Sequence, residues 1–461
     1  MSATPVIAIF DVGKTNKKLF LFDENYKMVY EKSARFTETV DEDGDSCENL
    51  ESLRLSVFDS LRQVFKRKEF NIKAINFSTY GASFVHIDDE GQPLTPLYNY
   101  LKAYPEELKK KFYDTYGGEE CVSGATASPV LGSLNSGMQL YRIKYENPEL
   151  FDQIKYSLHL PQYLSYLITG KTYSDLTSIG CHTNLWDFTK NDYHEWVKKE
   201  GILEILAPIA PCDSVMPASF PGNDYAVGVG LHDSSAALIP YLINFHEPFL
   251  LLSTGTWNIS LNPFNHSPLT LDELANDCLC YLQYKGTPVK ASRIFAGSEH
   301  EQQTKRIAAH FNTGNSFYKN VQFDPTIIAE LRNNAGQVKN VAGDLKNSAF
   351  IQRDLSGFTS ATIAYHRLIM DIVDQQYLST QFVLKDTAVK RIFVDGGFSK
   401  NPVFMNLLAL VFPGIEIFAA SMAQATAIGA ALAIHPAWNS KPIPHDIIEL
   451  KYYSLTNEAM I

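Results

Sequence analysis

Long apolar runs are missing from this 461-residue chain. No stretch reaches the ~18 apolar residues that a membrane-spanning helix needs. The run at 236–242, "AALIPYL", is short and bounded by polar residues, as in a buried core segment. Excess positive charge is also missing: 40 Lys and Arg face 51 Asp and Glu, a net charge of −11. That sign argues against nucleic acid as the main partner. Cysteine is scarce, with six residues, no CxxC pair, and only Cys278 and Cys280 close together. Such spacing gives neither a zinc knuckle nor a disulfide framework, and fits free thiols in a reducing cytosol. The start, "MSATPVIAIF", lacks the charged region and cleavage site of a signal peptide, so a cytoplasmic location is expected. No short-period repeat is present.

What remains is a globular composition, 45% hydrophobic and 20% charged. The length suggests two to four domains, at roughly 100–200 residues each. "VIAIFDVG" reads as a β-branched strand, and "KKLFLFDENYKMVYEKSARF" as two more strands around a turn. "CENLESLRLSVFDSLRQVF" has the apolar spacing of an amphipathic helix, and "IKAINFSTYG" reads as the next strand. Residues 104–224 are mixed, helical in part and dense in aromatics, which suits packing. Three later segments run from an apolar strand into a glycine turn: 225–242, 249–261 and 391–412. "QATAIGAALAI" reads as a small-residue helix suited to close packing. "AIFDVGKTNKKLFLFD" and "LLLSTGTWNISLNPF" share one design, which predicts two related halves divided near residue 240.

The triplet Gly13-Lys14-Thr15 ends like a phosphate-binding P-loop. A P-loop also needs a glycine five positions earlier and a helix after the lysine. Ala8 stands at the first position, and "NKKLFLF" is strand-like. Both requirements fail. The alternative is a tight hairpin whose backbone N–H groups face a phosphate, with an aspartate at the strand end to organise a hydrated cation. Asp11-Val12-Gly13-Lys14-Thr15 fits that device, with Asn16 and Lys18 beside it. "STGTWN", from Ser253 to Asn258, is a second polar hairpin turn. "VDGGFSKN", from Val394 to Asn401, sets Gly396 and Gly397 between a strand and a helix, where a base or ribose can lie against backbone.

These turns, with "GLHDSSAA" at 230–237 and "ATAIGAAL" at 425–432, resemble the FGGY carbohydrate kinases. The resemblance runs from about residue 6 to about residue 435. It implies an α/β chain with the two-domain actin/hexokinase-type ATPase fold, two ribonuclease H-like halves around a central cleft. Residues 1–240 would carry sugar and phosphate turns, and 241–461 the nucleotide. The resemblance implies Mg-ATP as donor and Asp233 as catalytic base. It places Asp11 at the Mg²⁺ position and Gly13, Thr15 and Lys18 on the first phosphate turn. Ser253, Thr254, Gly255 and Thr256 match the second turn, and Gly396, Gly397 and Asn401 the adenine-side loop. Lys14 departs from relatives that hold a small residue there; it either reaches the transferring phosphate or points to solvent. Family habit suggests a homodimer.

"GLHDSSAA" and "STGTWN" look most like the rhamnulose kinase branch, as does "STYGASFVHIDDEGQPL" at 78–94. Thr79, Tyr80, Gly81, Ser83, Asn99, His232 and Asp233 are the candidate sugar contacts. Two departures stand out: Ser83 where the branch holds Asp, and "LYNYLKAY" at 97–104 where it holds Arg and Asp. A 6-deoxyketohexose such as L-rhamnulose or L-fuculose is the expected acceptor, with a ketopentose (ribulose or xylulose) as the near alternative. A catalytically silent nucleotide- or sugar-binding regulator on the same fold is the rival of another class. The presence of Asp233 favours the kinase.

Overall fold

A computed structural model describes residues 3–14, 17–34, 37–218, 224–333, 349–422 and 424–454. The strands that form the first of two large sheets are β1 Thr4–Val12, β2 Lys17–Asp23, β3 Met28–Ala34, β4 Phe70–Thr79, β5 Val215–Pro217, β6 Ala226–Gly228 and β7 Leu231–His232. Their order is β5-β6-β4-β1-β2-β3, with β7 also on β4. The second sheet uses β8 Phe249–Thr254, β9 Asn258–Asn262, β10 Cys278–Leu282, β11 Pro288–Ile294, β12 Arg391–Gly396, β13 Glu416–Ser421 and β14 Glu449–Tyr453, in the order β10-β11-β9-β8-β12-β13-β14.

The sheets share one plan. In each, the first strand pairs antiparallel with the next in sequence and parallel with one reached by a crossover. A further parallel strand follows, and an antiparallel strand closes that edge. This matches the shared design of the two hairpin segments.

Strand β1 feeds two cores because its side chains alternate across the sheet. Ile7 and Ile9 face inward, against helices and residues of the second sheet such as Leu251 and Phe393. Val6, Ala8 and Phe10 face outward, against helix α1 (Leu50–Phe65) and helix α2 (Leu160–Thr169). Each such side chain contributes roughly 1.5–3 kcal/mol on burial. Both faces being covered explains why "VIAIF" is apolar throughout rather than alternating. Phe112, Tyr113, Tyr141, Trp186, Tyr193 and Trp196 belong to a separate cluster, in which Phe112 meets Tyr113, Tyr141 and Trp196 edge-on.

The chain passes from one sheet to the other through helix α3, Asp233–Asn244. The expected division near residue 240 falls inside this helix. Helix α3 packs on the small-residue helix Ala425–Ala433. A Cβ on Gly429 would lie 1.8 Å from the Ala236 carbonyl oxygen, so only glycine allows this crossing. Asn76 of β4 ties the same place together: its Nδ2 donates to the Ala430 carbonyl at 2.8 Å, and its Oδ1 accepts from Gly230 N at 3.1 Å.

Candidate active site

Strand register brings distant motifs into rows at one end of the first sheet. Asp11 pairs with Lys18 on one side and Ser78 on the other, and Ser78 pairs with Leu231. The next row holds Val12, Thr79 and His232. Asp233 follows as the first residue of α3; His232, not Asp233, takes the N-cap position.

Asp233 accepts from Ser234 N at 2.6 Å and from the Ser234 hydroxyl at 3.2 Å. A helix N-terminus and these donors favour the charged carboxylate. Burial wins nonetheless and pushes its pKa up to about 6. About 31% of the side chain is exposed, enough for a substrate hydroxyl to reach it. Asp11 is also pushed up to about 6, chiefly by burial, with the charge of Asp233 adding to it. Its Oδ2 accepts from the Thr426 hydroxyl at 2.9 Å, across 415 residues of chain.

His232 Nε2 lies 3.2 Å from Asp233 Oδ1 and 3.2 Å from Cys181 Sγ. Burial pushes this imidazole down to about 4, so it is neutral at physiological pH. The hydrogen-bond partner of Nε2 is the Cys181 thiol, and Asp233 Oδ1 is a close electrostatic neighbour. Tyr281 of the second sheet stacks on the ring, and Thr177 Oγ1 accepts from His232 N at 3.0 Å. Gly81 makes room: a Cβ there would come within 2.9 Å of His232 Cδ2.

The other sugar candidates divide. Thr79 is buried, and its hydroxyl donates to the Tyr80 carbonyl at 2.9 Å. The Tyr80 hydroxyl donates to Glu48 Oε1 at 3.0 Å, and Ser83 lies close enough to affect its acidity. Asn99 is committed elsewhere: its amide donates to the Ser46 carbonyl and accepts from Leu101 N. It lines a cavity of about 230 Å³ with Glu42, Lys102 and Arg142. Its neighbour Tyr100 instead feels the charges of Asp233 and Glu48. Glu48 and Tyr100 carry no turn or glycine signal, which is why the sequence did not mark them.

Of the first phosphate turn, Thr15 and Asn16 lie outside the described residues. Gly13 directly follows β1. Lys18 pairs with Glu31 at 2.5 Å while still feeling Asp11. Lys14 turns its ammonium onto Glu48 at 3.5 Å.

On the second sheet, Ser253 and Thr254 of β8 pair with Asp395 and Gly396 of β12. The Thr254 hydroxyl is engaged within the protein: it donates to the Asp395 carbonyl and accepts from Phe398 N at 3.0 Å. It therefore joins the two turns, while Gly255 and Thr256 stay exposed. Gly255, Gly397 and Asn401 line a cavity of about 530 Å³ with His300, Tyr318 and Tyr365. Asn401 also caps the helix Pro402–Val411, and its amide donates to the Tyr365 hydroxyl at 2.8 Å. His300 and Tyr318, both partly exposed, offer ring faces to a base, while the Tyr365 ring is buried behind them. They were not marked in the sequence because each looks like ordinary core.

Among the described residues no three His, Cys, Asp or Glu side chains cluster as a metal site. Asp11 and Thr426 offer hard oxygen donors beside a second carboxylate, and this suits Mg²⁺ that keeps several waters. No helix of the described residues is long and apolar enough to cross a membrane.

Comparison with known proteins bears on family and fold. The N-terminal domain model of the FGGY family of carbohydrate kinases matches residues 6–218. C-terminal domain models of that family match 246–341 and 356–438. A rhamnulokinase of Mannheimia succiniciproducens is 24% identical over 274 residues, 55% of this chain and 52% of that protein. The chain thus spans about half the length of that relative. A rhamnulokinase of Oceanobacillus iheyensis is 21% identical, with 91% of this chain and 90% of that protein covered. Among solved structures, a carbohydrate kinase from Novosphingobium aromaticivorans superposes with a TM-score of 0.80 at 23% identity, covering 98% of this chain and 94% of its own. A ligand-bound xylulose kinase from Lactobacillus acidophilus gives a TM-score of 0.76 at 17% identity, with the same coverage. With the fold, the rows of motifs and the family models all in accord, the chain belongs to the FGGY family of carbohydrate kinases.

Proposed function

We propose that the protein transfers the γ-phosphoryl group of ATP to a hydroxyl of a ketose. The observation that carries this reading is Asp233, a desolvated carboxylate pushed up to about 6 at the start of α3, with Asp11 beside it. Phosphoryl transfer asks a protein for in-line positioning, charge stabilisation and one proton acceptor. Asp233 takes the proton of the attacking hydroxyl, and its raised basicity suits that task near neutral pH. His232 packs its neutral ring 3.2 Å from the carboxylate and walls one side of it. The 530 Å³ cavity receives the adenosine, with Gly397 and Asn401 in its wall. Asp11 holds Mg²⁺, which when bound offsets the charge of the phosphate oxygens.

The acceptor we favour is a 6-deoxyketohexose such as L-rhamnulose or L-fuculose, supported by the rhamnulokinase relatives. A cytoplasmic setting fits six unpaired cysteines, all buried but Cys121. The test is ADP release from ATP and Mg²⁺ with a panel of ketoses and polyols. Sugar-dependent ADP from a 6-deoxyketohexose is expected; none from any sugar overturns the reading.

A further inference from the structure

Lys14, Glu48, Tyr80 and Tyr100 form a cluster that phosphoryl transfer as described above does not use. The Lys14 ammonium lies 5.5 Å from the centre of the Tyr80 ring and 5.5 Å from that of Tyr100. The rings are 5.8 Å apart and tilted by 58°, so they form two walls with the cation between them. Glu48 forms the floor. One of its oxygens meets Lys14 at 3.5 Å and the Tyr80 hydroxyl at 3.0 Å, and the other meets Lys17 at 3.2 Å. The Glu48 side chain is 5% exposed and that of Lys14 33%. Glu48 is therefore fixed, and Lys14 is the member that faces the opening.

Strand register connects this cluster to the reacting end of the site: Lys14 and Tyr80 follow within two residues the row of Val12, Thr79 and His232, and Tyr80 meets Tyr100. The Tyr100 phenol is shifted upward by burial and by the charges of Asp233 and Glu48. A sugar whose reacting hydroxyl lies at Asp233 extends along Tyr100 toward Lys14 and Glu48.

The local charge decides what Lys14 can hold. An ammonium has three N–H donors. Glu48 takes one at a long 3.5 Å. A phosphate there would be drawn by Lys14 and Lys17 but would meet the repulsion of the fixed Glu48 carboxylate, which both ammoniums already pair with. A neutral hydroxyl accepts from the ammonium without that repulsion, and its own proton can turn to the carboxylate. Aromatic walls suit the C–H faces of a sugar, as they suit other amphipathic partners.

We propose that Lys14 and Glu48 are a specificity-determining pair that binds hydroxyls of the acceptor sugar remote from the one phosphorylated. This rests on the sugar kinase reading above and names the part of the site that selects the sugar. It also accounts for the uncharged Ser83 and the "LYNYLKAY" segment: the charged pair comes from the turn after β1 and from Glu48, and that segment supplies an aromatic wall.

The test is steady-state kinetics of Lys14→Met and Glu48→Gln with the preferred ketose and with its deoxy analogues. The expected result is a KM for the sugar raised roughly ten- to hundredfold, the cost of an unpaired polar group, with the KM for ATP unmoved. With the analogue that lacks the contacted hydroxyl, wild type and variants should converge. Lys14→Met sits at the partly exposed member, so it serves even where Glu48→Gln fails to fold. A raised KM for ATP with an unchanged KM for the sugar overturns the pair and assigns Lys14 to phosphate. Unchanged values for both substrates also overturn it. If wild type turns over no sugar, the kinase reading itself falls; if wild type is active and the variants match it, only the pair falls.

Discussion

His232 Nε2 stands 3.2 Å from Asp233 Oδ1, a neutral ring packed against a carboxylate whose pKa is about 6. Asp233 must be ionised to accept a proton. In the free enzyme kcat/KM should therefore be level above pH 7 and fall about tenfold per pH unit below pH 6. A pH profile from 5 to 8.5 measures this. A profile that stays level down to pH 5 would show a base in an ordinary aqueous environment.

The same burial has a cost to stability. Asp233 holds its proton in the folded state up to about pH 6, against an ordinary value of 3.8. Its contribution to the ligand-free protein is thus most favourable at low pH and is lost as pH rises through 6. Asp233→Asn should abolish sugar-dependent turnover, by roughly 10²–10⁴-fold. It should also raise the melting temperature at pH 7.5, reflecting on the order of 1–3 kcal/mol. Thermal melts at pH 7.5 and pH 5 check this, since the gap should narrow at the lower pH.

Gly81→Ala places a Cβ 2.9 Å from His232 Cδ2 and 3.0 Å from Nε2. The ring has little freedom, with Tyr281 stacked on one face and Cys181 at Nε2. A shift of a few tenths of an ångström moves the ring that packs against Asp233. The expected outcome is a kcat about tenfold lower or worse in a folded protein. Circular dichroism beside kinetics separates this from unfolding.

Thr254→Val removes the hydroxyl that joins the two turns of the second sheet. Phe398 N loses its acceptor, at a cost of roughly 1–3 kcal/mol. The KM for ATP should rise, because Gly397 and Asn401 line the cavity just beyond. Thr254→Ser should restore both properties. Denaturant melts and ATP titrations of the two variants distinguish the outcomes.

Local pattern revealed much of this fold. The strand–turn–strand at Asp11, the Gly396-Gly397 turn and the small-residue helix each show in a dozen residues, because backbone geometry there depends on neighbours in the chain. The partners of those residues do not show. Thr254 reads as a polar turn residue, yet its hydroxyl is held 141 residues downstream. Thr426 lies in a recognisable motif, but its bond to Asp11 spans 415 residues. Glu48 follows the acidic loop "DEDGDS" and looks like one more solvated charge. Only the fold buries it beneath Tyr80 and Lys14. Burial also reversed the electrostatic expectation at Asp233, where a helix N-terminus alone would have lowered the pKa.

Helix α3 begins at Asp233, carries the chain between the sheets, and crosses the helix Ala425–Ala433 at the contact of Ala236 with Gly429. Thr426, on that second helix, reaches back to Asp11. The crossing between the halves and Asp233 are therefore within a turn of one another. When one body rotates against another, points near the axis barely move and distant points travel furthest. Opening the cleft about this crossing would swing Trp257 and Phe295, exposed on the second half, through a wide arc. Asp11 and Asp233 would keep their spacing throughout.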